Sequence, residues 1–184
     1  PNAPMKDSAI PWIGDVPEHW ETKRLAIAFS ENKRKNSEYT FQKALKFNYG
    51  SLVAKNEPGD ISDLKNTYVD YTILAPKDIV INCLNLNYDF VSLRVAQAQT
   101  AGIITSAYLS ITPRREVNSD FYTYFFKAMD SQKLFHGMGT GIRLTLSFSE
   151  LKKQTIVVPP TDEQQAIVDF LDKFLKGIGR PFSG

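Results

Sequence analysis

The sequence predicts an α/β (α+β) domain, a twisted mixed or antiparallel sheet with flanking helices. Short runs of strand formers, punctuated by Gly, Pro and Asn, occupy the middle of the chain, whereas apolar residues at three- and four-residue spacing mark helices only after residue 118. A length of 184 residues suits one domain, or one domain plus an appended element, and is enough to bury a core. An apolar content of 42% with 23% charged residues is ordinary globular chemistry.

The first readable element is Phe41 to Leu52, rich in strand formers and broken by Gly50, which predicts a strand and a turn. Tyr68 to Leu74 leads into a turn at Ala75-Pro76-Lys77-Asp78, and Ile79 to Leu84 follows as a buried strand. Phe90 to Val95 alternates apolar and polar residues, and Ile103 to Thr112 does so less cleanly, so each is expected to be a half-buried strand. Asn118 or Ser119 can cap a helix over Asp120 to Phe135, in which Phe121, Tyr124, Phe125, Ala128 and Met129 recur at helical spacing. A helical turn over Ser149 to Lys153 and a strand at Ile156 to Val158 come next. Pro159-Pro160 stops that strand, and Thr161 with Gln164 reads as a capping box. Along the final helix Ile167, Phe170, Leu171, Phe174, Leu175 and Ile178 form a stripe like a coiled-coil seam, a little over three turns long before Gly177, Gly179 and Pro181 interrupt it.

Charge is concentrated rather than large. The net charge is +2, but residues 23 to 55 carry eight cations (Lys23, Arg24, Lys33, Arg34, Lys35, Lys43, Lys46, Lys55) against Glu31 and Glu38. Residues 1 to 22 carry Lys6 against Asp7, Asp15, Glu18 and Glu21. A local basic patch of this kind is the footprint expected for phosphate contacts, although a solvated loop has the same composition.

Several motifs, in order along the chain, point to one family. Gly137 to Leu151 (GMGTGIRLTLSFSEL) places Gly137, Gly139 and Gly141 around Thr140, a backbone that can approach a polyanion closely, and Arg143 follows with five fixed donors. Pro159-Pro160, Glu163-Gln164 and Ile167 come after it. Ile10 to Leu25 (IPWIGDVPEHWETKRL), Lys77 to Asn82 (KDIVIN) and Ala101 to Tyr108 (AGIITSAY) precede it. Together these resemble the type I restriction-modification specificity subunits, over about 160 residues.

The resemblance implies a DNA target-recognition domain over residues 1–160, followed by the start of a conserved coiled-coil connector helix and a tail over 161–184. It implies one half of a bipartite double-stranded DNA site as ligand, and methyltransferase (modification) subunits and a restriction motor subunit as partners. No cofactor is expected on this chain, because S-adenosylmethionine and ATP would belong to those partners. Ile167, Phe170 and Phe174 would begin the seam that docks a second helix. The family's usual chain has two recognition domains, so a natural half-subunit, a truncated product and an engineered fragment all fit this length.

If DNA is the ligand, lysines and arginines position the backbone and amides pair with base edges. Lys33, Arg34, Lys35, Lys43 and Lys46 are the backbone candidates. Asn82, Asn85, Asn87 and Tyr88 fall in one turn, Gln97 and Gln99 in the next loop, and Arg94, Arg114, Arg115 and Arg143 are the guanine candidates. Gly139, Thr140 and Gly141 are expected to face DNA jointly with Arg143. The competing expectation for any one of the amides is a hydrogen bond within its own turn.

Catalysis is not expected. Pro159-Pro160 lacks the acidic or amide residue before it and the aromatic after it that an adenine methyltransferase needs, and neither a phosphate-binding Gly-x-x-x-x-Gly-Lys nor a Gly-x-Gly-x-x-Gly is present. His19 and His136 are isolated, and Asp60, Asp63 and Asp70 lack the spacing of a nuclease metal site. The single cysteine, Cys83, reads as a reduced thiol in a cytoplasmic core. The alternative function is a protein-interaction module of a phage-defence assembly that does not read sequence. A DNA-modifying enzyme with degenerate motifs is a further class.

Overall fold

The structure, a computed structural model, describes residues 3–56, 61–88, 93–115 and 117–178. In chain order its strands are β1 (Met5–Asp7), β2 (Asp15–Pro17), β3 (Glu21–Arg24), β4 (Phe29–Glu31), β5 (Leu45–Asn48), β6 (Ser51–Ala54), β7 (Thr72–Leu74), β8 (Ile79–Ile81), β9 (Val95–Gln97), β10 (Gly102–Ile104), β11 (Leu109–Pro113) and β12 (Thr155–Val158). The helices are α1 (Leu25–Ala28), α2 (Ile61–Tyr68), α3 (Ser119–Ser131), α4 (Phe148–Leu151) and α5 (Thr161–Ile178).

The centre is an antiparallel four-stranded sheet in the order β4-β11-β8-β9. Its register pairs Ile111 with Glu31 and Ile79, Leu109 with Ile81, and Ile81 with Val95. The end of β8 and the starts of β9 and β11 therefore share one edge of the sheet, while Gln97, Ile79 and Pro113 share the opposite one. Smaller antiparallel pairs surround it: β1 with β2, β3 with β12, β5 with β6, and β7 with β10.

The two faces of this sheet carry separate cores, as the two-residue side-chain period of a strand requires. Phe29, Ile79, Ile81, Val95, Leu109 and Ile111 pack with Phe121, Tyr122, Phe125, Phe126 and Met129 of α3. Phe29 meets Tyr122 and Phe126 edge-on, with ring centroids 5.3 and 5.6 Å apart. Val80, on the other face, packs with Leu45, Leu74, Ala98 and Ile104 under the β5–β6 hairpin. Asn118 caps α3 by accepting from the amides of Asp120 and Phe121 at 3.0 and 3.1 Å.

Several local expectations are corrected. The stretch 103–112 is two strands, because Thr105 and Ser106 turn the chain between β10 and β11. The Tyr108 amide bonds the Thr105 carbonyl at 3.3 Å, and the Ser106 hydroxyl donates to the Asp70 carbonyl. Helix α3 stops at Ser131 rather than at Phe135, since Lys133 takes a left-handed φ of 59° and a 3-10 turn over Leu134–Met138 then buries Phe135. Thr161 lies inside α5 instead of capping it. Pro160 has no N–H for a capping-box partner to accept, and Gln164 instead donates its side-chain amide to the Pro159 carbonyl at 2.8 Å. Of the strand expected over 90–95, residues 90–92 lie outside the described residues, and the observed strand begins at Val95. The tail from 179 onward also lies outside them.

Helix α5 is tied to the domain at three points along its length. The Trp20 indole N–H donates to Glu163 at 2.8 Å, Asn118 donates to Gln165 at 3.0 Å, and the Tyr124 hydroxyl donates to Asp172 at 2.5 Å. Burial, and secondarily that carboxylate, push the Tyr124 hydroxyl up to about 12. Val168 is buried and Ile167 half-buried, but Phe170 and Phe174 are 66% and 57% exposed.

Candidate nucleic-acid interface

The edge of the sheet where β8 ends supports two loops that run side by side. Residues 82–88 leave β8, and the Leu86 amide donates to the Leu144 carbonyl at 3.1 Å; the Leu146 amide donates to the Cys83 carbonyl, also at 3.1 Å. Thr140 and Thr145 exchange both backbone hydrogen bonds, at 3.1 and 3.0 Å, and so close a hairpin whose tip is Gly141, Ile142, Arg143 and Leu144. Gly139 is needed beneath that tip. A Cβ there would stand 3.0 Å from the Leu144 carbonyl carbon and 3.1 Å from Leu86 Cδ1. Thus the Gly-Thr loop and the asparagine-rich loop form one surface, with Asn85, Asn87, Tyr88, Thr140 and Arg143 exposed on it.

A groove of about 370 Å³ borders this surface, with Lys33, Lys35, Tyr108, Thr145 and Ser147 among its lining. Lys33 is paired with Glu31 at 3.0 Å yet remains 78% exposed, and Lys35 donates to the Ser106 hydroxyl at 2.6 Å and the Asp70 carbonyl at 3.0 Å. Tyr108 also lines a second recess, of about 420 Å³, together with Asn48, Tyr49, Asn82, Leu93 and Arg94. Cys83 lies beneath, buried, its thiol pushed up by burial and directed at the Ala107 carbonyl.

Several other expected site residues make hydrogen bonds within the fold. The Arg34 guanidinium donates to Asp78, a carboxylate with 1% of its side chain exposed that also accepts from Asn32, Ala75 and Thr112. Arg94 donates to the carbonyls of Asn82, Leu84 and Asn85 at 3.0, 2.8 and 3.3 Å, so it braces the asparagine loop from within. Gln97 is in β9, not in a loop, and is buried. Its amide donates to Ser119 and Asp120 while its carbonyl accepts from Gln99. Gln97 stands at the opposite edge of the sheet from Asn82, and Arg114 and Arg115 follow Pro113 at that far edge as well. Lys43 bonds the Thr100 hydroxyl at 2.8 Å, and Lys46 is exposed on β5.

Sequence reading passed over three residues of this surface. Tyr49 is 77% exposed at the β5–β6 turn, where it and Gly50 both have positive φ, the pairing that a two-residue hairpin of native twist requires. Ile142 is 99% exposed. Tyr108 joins the two recesses. A tyrosine beside the turn glycine, and an isoleucine between Gly141 and Arg143, were the available signals.

The chain matches the type I restriction modification DNA specificity domain over residues 12–179. It belongs to that family. Type I specificity subunits of known structure share its fold. One is the HsdS subunit of Thermoanaerobacter tengcongensis, with 16% identity, a TM-score of 0.58, and coverage of 90% of this chain and 39% of that one. A structure described for complex assembly and conformational transition of the type I R-M system has 16% identity, a TM-score of 0.61, and coverage of 90% and 40%. The S subunit of M. genitalium has 14% identity, a TM-score of 0.54, and coverage of 86% and 39%. No curated protein matches. This specificity domain therefore spans about two fifths of the length of the solved chains it resembles. Among its described residues no helix is long and apolar enough to cross a membrane, and no group of three or more His, Cys, Asp or Glu could hold a metal ion.

Proposed function

We propose that this specificity domain reads one half of a bipartite duplex target without catalysing a reaction itself, and that it directs methyltransferase and restriction subunits to that site. One observation carries the reading: Asn85, Asn87 and Tyr88, the Thr140–Thr145 hairpin with Arg143, and the Lys33 and Lys35 groove converge at one edge of the sheet. Amides and a guanidinium for base edges thus stand beside ammonium groups for phosphates, the division of labour that duplex reading needs. S-adenosylmethionine and ATP would be held by the partner subunits. The exposed faces of Phe170 and Phe174, continuing from half-buried Ile167, would dock a second helix, because α5 is held to the domain through Glu163 and Asp172 while these two rings stay uncovered.

The test is an exchange of residues 1–160 for those of another recognition domain inside a complete assembly, read by sequencing the methylated sites. One half of the target should change and the other remain. A target unaltered in both halves would make the domain an interaction module.

A further inference from the structure

We propose that Ile142 is a wedge that enters the duplex at one base step and partly unstacks it; this rests on the DNA-reading function proposed above. Isolated apolar side chains are common on protein surfaces, so exposure alone would carry nothing. What sets Ile142 apart is that a fully exposed residue, at 99%, stands at the tip of a hairpin closed by reciprocal backbone bonds. The reciprocal Thr140–Thr145 bonds close the stem below it, and the Leu86 and Leu146 amides tie that stem to the asparagine loop and to Cys83 at the edge of the core. On either side of the tip the backbone is strained or open: Leu144 takes a φ of 40°, uncommon for a branched side chain, and Gly141 a φ of 77° with nothing within 4 Å of its Cβ position. The fold thus keeps a conformation whose outcome is to project this side chain into solvent.

The chemistry of the tip matches that placement. A β-branched side chain has few rotamers, so little freedom is lost when it inserts between bases. An apolar side chain that enters between two bases unstacks them partly, and the surface it buries offsets that cost. Arg143 follows Ile142 in the tip, and Asn85, Asn87 and Tyr88 stand exposed on the loop bonded to the hairpin, so polar groups accompany the point of entry. Lys33 and Lys35 provide the phosphate side of the same surface.

The experiment uses the full chain and a duplex site selected from a random pool, with 2-aminopurine placed at successive positions along it. Wild-type protein should raise the fluorescence severalfold at one step only. Ile142→Ala should bind the same site about tenfold more weakly, the loss expected when one aliphatic side chain stays in water less the unstacking that is avoided. It should also abolish the fluorescence rise and leave the salt dependence of binding unchanged, since every charged group is still in place. Ile142→Leu should restore the signal. Because Ile142 makes no buried contact, an unaltered melting temperature in both variants verifies the fold. A rise of the same size with Ile142→Ala overturns the wedge, as does wild-type binding by mobility shift with no rise at any position. Failure of wild-type protein to bind any duplex, both alone at low salt and within a complete assembly carrying a second recognition domain, overturns the DNA-reading function and the wedge with it.

Discussion

Leu86 donates its backbone amide to the carbonyl of Leu144 at 3.1 Å, and that bond joins the asparagine loop to the Gly-Thr hairpin. Gly139 makes the approach possible, as a Cβ would press on the Leu144 backbone and the Leu86 side chain. Its φ of −70° suits any residue, so the constraint is space alone. Gly139→Ala should lower stability by about 1–3 kcal/mol, the usual cost of overpacking. Duplex affinity should fall with it, as measured by thermal melting and mobility shift. Unchanged values of both would show that the hairpin can retreat freely.

Arg94 tests whether a residue in the loop reads bases or braces the loop. Its guanidinium satisfies three backbone carbonyls, a fan that the single ammonium of lysine cannot reproduce. Arg94→Lys should cost about 1–3 kcal/mol of stability and weaken binding to every duplex alike. A changed preference at one base position, with stability intact, would make Arg94 a reader.

The Lys33-Arg34-Lys35 run divides by the same logic. Lys33 and Lys35 line the groove, whereas Arg34 pairs with the buried Asp78 carboxylate. Changing Lys33 and Lys35 together to Ala should flatten the slope of log affinity against log salt by about 0.9 for each phosphate that is no longer neutralised. Arg34→Ala should leave the slope alone and cost about 1–3 kcal/mol in thermal unfolding, because Asp78 keeps three other donors. An unchanged slope in the double lysine variant would place the groove away from DNA.

The pattern of success in reading the sequence has a physical basis. Strand β8 was legible as an unbroken apolar run after a proline turn, and helices α3 and α5 because their apolar residues recur at three- and four-residue spacing and an asparagine cap or a proline pair bounds them, although Phe170 and Phe174 of α5 stay exposed. Strands β1 and β2 were not, since each is only three residues long, which leaves no period to see. At the site, the Gly-Thr hairpin was visible through its glycines. Gln97 was misplaced in a loop, and the carbonyl contacts of Arg94 were not foreseen, because a sequence shows which groups can donate, not whether a backbone carbonyl or Asp120 lies in reach.

The base of α5 should respond to acid. The Trp20 indole N–H, followed by His19, holds the Glu163 carboxyl below its ordinary value of 4.5. A carboxyl lowered by folding stabilises above its unfolded value, and that contribution disappears as pH falls through the folded one. Glu163→Gln should therefore speed hydrogen exchange at the start of α5 at neutral pH, and the difference from wild type should shrink below pH 4.5. A difference that is constant down to strong acid would assign the effect to packing rather than charge.

Arg143 is the residue through which reading and holding should separate. It is exposed on the hairpin tip, whereas Arg34 and Arg94 are committed to the fold. A guanidinium that pairs bidentately with guanine contributes only on the correct sequence, while a phosphate contact contributes on all of them. Arg143→Ala should thus cost about 1–3 kcal/mol on a selected half-site and much less on random duplex. A single module of this size buries only about 600–1,000 Å² of protein surface on DNA, so the measurement needs low salt or a complete assembly with a second recognition domain. Equal losses on selected and random duplexes would make Arg143 a phosphate contact and leave base reading to Asn85, Asn87 and Tyr88 on the loop bonded to it.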